Sequence, residues 1–389
     1  MKWIKLSEVV VIILVYGWLI SSCNSENQSS KGPGLKTLTL IEDISISPNI
    51  PGTSIGDFSG LSVDSEGSIY AADVRLKKIH HFSSKGGYLG SLGHKGKGPG
   101  EFISLDTKIR VQSDTLYVKD NIAKRISLFD RKTYQLIRII NIPNTKINSD
   151  PIGSLKQMFP LQNGNILVAF VNSYTMAPKT TDPPRMTTIS ILSPYGNFIE
   201  KNCFQFSTPF PAGQKFAILN SGAINVFTGL SFYPDIKMAI GPKEHLYVGK
   251  SDSLLIREYD RSWKIIDNLS YNYVPPTLTN VNIDSILENR SNSFEKAIEE
   301  VGGFPDKWPV LQNFLIDDMG RSWIELVNPE TPQQTWWILN KEGNPEWKFK
   351  LPPDVKLYAV KNGKVYGILQ PPEDLPFIVR YRIKEFNEK

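Results

Sequence analysis

The sequence is short of the side chains on which most compact catalytic and metal centres are built. It has 4 histidines, 2 cysteines (Cys23 and Cys203) and no run of about 20 apolar residues, the length a helix needs to cross a bilayer. It also lacks a dominant charge: Lys+Arg 44 against Asp+Glu 39 gives +5, too mild and too evenly spread to argue for a nucleic-acid partner. What is present is a globular, turn-rich composition. Hydrophobic residues make up 40% and charged residues 21%, which excludes wholesale disorder. Gly (28) and Pro (27) together are about one residue in seven, and aromatics reach 11%. Many turns with many aromatics point to β structure rather than to helical bundles.

The N-terminus reads as three zones. Lys2 and Lys5 form a basic start, and residues 9–20 (VVVIILVYGWLI) form an apolar run of 12. That length suits the hydrophobic region of a signal peptide. The following Ile20-Ser21-Ser22-Cys23 resembles a bacterial lipobox. The resemblance implies cleavage before Cys23 and acylation of its thiol, with more than one acyl chain giving stable anchoring. Cys203 would then be left without an intramolecular disulfide partner, so stability must come from the core. Residues 24–34 (NSENQSSKGPG) read as a flexible tether. The domain reading is therefore 1–22 signal peptide, 23–34 lipidated Cys and tether, and 35–389 folded domain.

That domain is repetitive. Asp73-x3-Lys77-Lys78-Ile79-x2-Phe82 recurs as Asp120-x3-Lys124-Arg125-Ile126-x2-Phe129, and Tyr70 matches Tyr117 at the same offset of 47. More weakly, an apolar strand end, a polar turn and a strand with a large residue occur six times: 63–70, 111–117, 161–167, 240–247, 316–323 and 360–366. Short strands separated by turns at this spacing are the signature of a propeller. Residues 58–102 look like an NHL repeat. Together with the lipobox, the chain resembles the six-bladed β-propeller lipoproteins of Bacteroidota. The likeness implies an all-β, six-bladed NHL/TolB-like propeller and no settled activity. Blade 6 shows only three clear strands, so residues 35–46 are expected to supply its fourth and close the ring.

Strand polarity places the turns inside the first strand pair of each blade at one end, and the crossovers between blades at the other. The long segments 172–186, 207–234 and 277–305 all belong to the crossover end, which is therefore the expected functional face. The last contains an expected helix over 284–301, with Ile286, Leu287, Phe294, Ala297, Ile298 and Val301 on its apolar side, a polar break at 290–293 and Gly302-Gly303 as its stop. It reads either as a cover for apolar surface or as a lid.

The chemistry that can be weighed is mostly set aside. His80 and His81 alternate on one strand, and His245 lies in a turn at the opposite end, leaving His94 alone on the crossover face; no zinc site assembles. Gly52-x-Ser54-x-Gly56 lacks the strand–turn–helix setting of a nucleophile elbow. The Gly-rich 93–100 is no P-loop. Asp73 and Asp120 read as structural acceptors of loop amides or partners of nearby bases. No catalytic residue, cofactor or metal site is assigned; an axial calcium would need inward Asp, Asn or Glu from several blades. The aromatics Tyr174, Phe210, Phe216, Phe232 and Tyr233 lie in the long loops. The candidate ligand face is Arg75, Lys77, His94, Lys97, Lys124, Tyr174, Phe232 and Tyr233. The expected function is that of a membrane-anchored envelope binding or scaffold module, with an envelope protein or glycan as partner. A propeller hydrolase or lyase using an axial metal or carboxylate on glycans, lactones or peptides is the alternative.

Overall fold

The computed structural model describes residues 34–384 apart from 144–145, 148–149, 152, 172–184, 209–215, 221–222, 228–231, 289, 291–293, 296–297 and 300–301. The signal peptide, Cys23, the tether up to residue 33, Tyr174 and Phe210 lie outside the described residues. Residues 36–389 form one compact unit.

Six antiparallel sheets follow one another along the chain, each built from an inner, a second, a third and an outer strand. The inner strands are Gly60–Val63, Arg110–Gln112, Ser154–Pro160, Ile236–Ile240, Leu311–Ile316 and Val355–Lys361. This is the six-bladed, all-β propeller expected from the repeat. The turns explain why each polar punctuation ends a strand. In the first turn of blade 1, Asp64 Oδ1 accepts the amides of Glu66 and Ser68, both at 2.9 Å, and Gly67 takes φ 84°. Asp317 in blade 5 and Asn340 in its second hairpin do the same for their own turns. Short polar side chains mimic the backbone turn, and glycine supplies the left-handed residue.

The strands between those turns are apolar on both faces because each blade packs against two neighbours. Tyr70, Ile79, Phe102 and Leu116 fill the seam between blades 1 and 2. Met158, Ile166, Phe170 and Ile140 fill that between blades 2 and 3. In blade 5, Trp336 stacks on Phe349 at 5.9 Å, and the Trp323 indole donates to Asp317 Oδ2 at 3.0 Å. Full burial of several side chains at each seam is worth about 1.5–3 kcal/mol apiece. Polar clamps add registration. The buried Arg131 of blade 2 reaches Asp64 and Glu66 of blade 1 at 2.8 and 2.9 Å.

Closure is as expected, with one refinement. Thr39–Ile46 pairs antiparallel with Phe377–Lys384 and becomes the outer strand of blade 6. Asp43 on that strand receives Arg380 and Lys364, at 2.9 and 3.2 Å. Just before it, Lys36–Thr37 pairs in parallel with the outer strand of blade 5, Pro345–Leu351, rather than with blade 6. The N-terminal segment thus spans two blades.

The repeated aspartates are structural. Asp73 accepts the amides of Gly56 at 2.7 Å and Leu76 at 2.8 Å. Asp120 accepts those of Ile103, Ser104, Ile122 and Ala123 at 2.7–3.1 Å. Each carboxylate ties the crossover entering its blade to the hairpin between the second and third strands.

The insertion between blades 4 and 5 differs from expectation at its start. The helix is Asn280–Leu287, four residues earlier than 284, capped by reciprocal bonds between Thr279 and Asn282. Asn stands where Glu or Gln marks the usual capping box, so the boundary carried a weak signal. Residues 294–295 and 298–299 are helical as well, beyond the polar break.

Asp120 is fully buried and serves four amides. Asp120→Ala is expected to cost about 3 kcal/mol in urea unfolding, since it leaves those donors unmet. Asp120→Asn, which keeps one acceptor oxygen, is expected to cost about half as much.

Candidate functional site

The candidate face residues are not gathered into one site. Lys77 and Lys124 are the left-handed residues of equivalent hairpins, at φ 59° and 49°, and Lys77 Nζ donates to the Val74 carbonyl. Their recurrence reflects turn geometry. Arg75 is exposed beside Gly56. The Gly-rich crossover already contains its own anion: Glu101 accepts the Gly98 amide at 2.6 Å and bonds His94 Nε2 at 2.8 Å. Arg125 caps the same loop through the carbonyls of Lys97, Gly98 and Glu101. His94 and Lys97 therefore belong to a self-satisfied loop.

Phe232 and Tyr233 require a correction. Expected on an open face, they are 3% and 7% exposed, in a small core with Leu278, Phe294 and Ile298. The Tyr233 hydroxyl donates to the Gly303 carbonyl at 2.6 Å. These aromatics hold the blade 3–4 and blade 4–5 connections together. Ile283, Ile286 and Leu287 of the helix pack partly buried against the same core.

The arrangement with chemical potential lies elsewhere, on the axis. The six inner strands surround a cavity of about 980 Å³. Its crossover end is set by residues at the starts of those strands. Arg110 opens the inner strand of blade 2, with Lys108 two residues before it. Lys156 is the third residue of the blade 3 strand, Lys237 the second of blade 4 and Lys356 the second of blade 6. Blade 5 contributes Glu325, which ends its second strand next to last and pairs across to Asn313. All six line the cavity. None of the candidate face residues that the structure describes does so.

Two ion pairs neutralise part of this charge. Lys156 Nζ lies 2.7 Å from Asp235, and Lys119 Nζ lies 2.8 Å from Asp106. Lys237 is a looser partner of Asp235 at 3.8 Å. The Arg110 guanidinium stands over the Phe159 ring at 5.6 Å, and Lys356 over Tyr358 at 5.3 Å. Among the described residues, no carboxylate ion-pairs with Lys108, Arg110 or Lys356. The opposite end is different: Lys361 donates to the Val63 carbonyl, and Asp318 accepts the Asn362 amide.

The enclosure shifts the titrations. Lys108 is pushed down to about 8, first by burial and then by the charges of Lys156, Arg110 and Lys119, against the pull of Asp106. Lys108 is nonetheless exposed to the water of the cavity, which screens part of that shift. Burial also lowers Lys237, with Asp235 opposing. Burial works to raise Asp235, but Lys156 and Lys237 outweigh it and hold that carboxyl low. Glu325 is raised to about 7 by burial, although Lys237 and Lys356 oppose the rise. No group of three or more His, Cys, Asp or Glu with metal-holding geometry occurs among the described residues. Sequence reasoning missed this site because its members share neither a motif nor a spacing. The five bases share one signal, a position at or near the start of an inner strand, and Glu325 at the end of a second strand has none.

Residues 54–176 match the family model described as a 6-bladed beta-propeller, covering blades 1 and 2 and part of blade 3. A protein from Bacteroides fragilis NCTC 9343 described as exported shares the fold, at TM-score 0.53, 11% identity, 89% of this chain and 95% of its own. So does a member of the duf4221 family from Bacteroides vulgatus ATCC 8482, at TM-score 0.53, 14% identity, 90% and 99%. No curated protein matches the sequence. The resemblance to the six-bladed β-propellers of Bacteroidota is borne out in fold.

Glu325 supplies a pH test. Its raised pKa means that ionisation is disfavoured in the folded state, so stability present below about 4.5 is lost as pH rises through about 7. Glu325→Gln, which mimics the protonated acid, is expected to match the wild-type Tm at pH 4 and exceed it at pH 8. Equal Tm values at both pH values would remove the buried-acid reading.

Proposed function

We propose that this protein is a lipid-anchored binding module of the cell envelope that takes its ligand at the crossover end of the axial cavity. The observation that carries the binding part is the convergence there of Lys108, Arg110, Lys156, Lys237 and Lys356 from four blades, on the end that also bears the long crossovers. Rigid inner strands hold the polar groups, and a concave, partly enclosed volume receives the ligand, which is the usual anatomy of a binding pocket. The anchor rests on the lipobox-like residues 20–23, and the envelope location also on the description of the Bacteroides fragilis neighbour as exported. Partners are accordingly the membrane, through acylated Cys23, and an envelope ligand.

One observation favours an enzymatic second reading. Glu325, raised to about 7, stands in a solvent-accessible cavity between Lys237 and Lys356, the setting of a general acid or base. A hydrolase or lyase of this kind would lose turnover of an envelope substrate in Glu325→Gln while keeping its binding; a binding module would show no turnover to lose.

Two measurements test the main reading. Metabolic labelling with palmitate is expected to mark the wild type and not Cys23→Ser, which should move to the soluble envelope fraction. Native mass spectrometry of the detergent-extracted chain, mixed with small molecules and oligosaccharides from the envelope, should show a bound ligand. Asn313→Trp, which places a bulky side chain in the axial mouth, should abolish that adduct. An adduct that persists unchanged would move the site away from the axis.

A further inference from the structure

The mouth carries a charge that the fold does not use. The pairs Lys119–Asp106 and Lys156–Asp235 are internally balanced. What remains is Lys108, Arg110 and Lys356, with Lys237 held only loosely by Asp235 at 3.8 Å, around the carboxyl of Glu325. Like charges in a confined volume repel, and the depressed titrations of Lys108 and Lys237 record that cost together with burial. Elsewhere, comparable bases are tied down. Arg131 spans Asp64 and Glu66, Arg380 chelates Asp43, and Arg125 caps three carbonyls. The contrast makes the axial mouth the place where positive charge is held ready rather than spent on the fold.

We propose that this mouth is a binding site for an oligoanion, a molecule carrying two or more carboxylate, phosphate or sulfate groups, held by Lys108, Arg110, Lys237 and Lys356. The inference rests on the reading above that the ligand enters at this end, and it specifies the ligand's chemistry. The cations come from blades 2, 4 and 6, on different sides of the axis. A single small anion would reach one or two of them, whereas a molecule with separated acidic groups meets several. The guanidinium of Arg110 offers a planar fork, and the lysines act as point charges. Lys156 and Lys237 share the Asp235 carboxylate, at 2.7 and 3.8 Å.

The site is also linked to pH. Around Lys108 stand Asp106, Arg110, Lys119 and Lys156; around Glu325 stand Lys237 and Lys356. Between pH 6 and pH 8.5, Lys108 gives up part of its charge and Glu325 becomes ionised. Both changes weaken an anion's hold, so affinity falls as pH rises.

The test is calorimetric titration of the detergent-extracted full chain at low ionic strength. The probes are citrate, pyrophosphate, tri-galacturonate and a disulfated disaccharide, with maltotriose as the neutral control. At least one oligoanion should bind, more weakly at higher NaCl, and the galacturonate or sulfate probes, whose own charge is constant, should bind more weakly at pH 8.5 than at pH 6. The strongest probe assigns the acidic group. Lys237→Glu and Lys356→Glu should each weaken binding by roughly tenfold or more. Lys108→Met should weaken binding while raising the Tm at pH 7, a combination that a purely structural lysine would not give. Absence of binding by every oligoanion, equal binding of maltotriose, or indifference to all three substitutions would overturn the proposal. If Asn313→Trp still abolished capture of a neutral ligand, the axial binding reading would stand and the oligoanion would fall.

Discussion

A blade of a propeller has two apolar faces and no means of burying them alone. Everything else in this structure follows from that constraint. Each seam is filled jointly by neighbouring sheets, as Tyr70 and Leu116 do between blades 1 and 2. The last seam exists only if the chain returns to its beginning. Thr39–Ile46 makes that return on Phe377–Lys384, with Asp43 held by Arg380 and Lys364. Once the ring is closed, six inner strands must surround an axis, and whatever side chains they carry at their starts must converge.

This separates two classes of polar residue. The repeated ones serve the ring. Asp73 and Asp120 fasten crossovers to hairpins, and Lys77 and Lys124 occupy left-handed turn positions. The residues that differ from blade to blade make the site. Arg110, Lys156, Lys237 and Lys356 hold comparable places on their own strands, but no motif surrounds them. A cation there is not needed by its own blade. Its meaning comes from the other cations that closure brings within reach.

The same division explains what could be read in advance. Blade number, the closing strand and the structural role of the aspartates were legible, because turn chemistry and strand alternation are local properties repeated along the chain. The start of the helix was less so, since Asn282 caps it in place of the usual acid or amide. Phe232 and Tyr233 looked available because they lie in long connections. They are buried because a second connection, carrying Phe294 and Ile298, folds over them. In the Gly-rich crossover, Glu101 from within the loop accepts the Gly98 amide and pairs with His94, a contact that no motif announced.

By itself, the sequence determined the all-β class, six blades with their turns, and which end would carry the long crossovers. Each of these depends on spacing over a few tens of residues at most. Only the tertiary structure decided which charged groups share a volume. Lys108 and Lys356 are far apart along the chain and adjacent to the same lumen, and the raised acidity of one and the muted acidity of Glu325 arise from that enclosure. Electrostatic character here is a property of the closed ring, because charges modify one another only at the short distances and low polarity that closure creates.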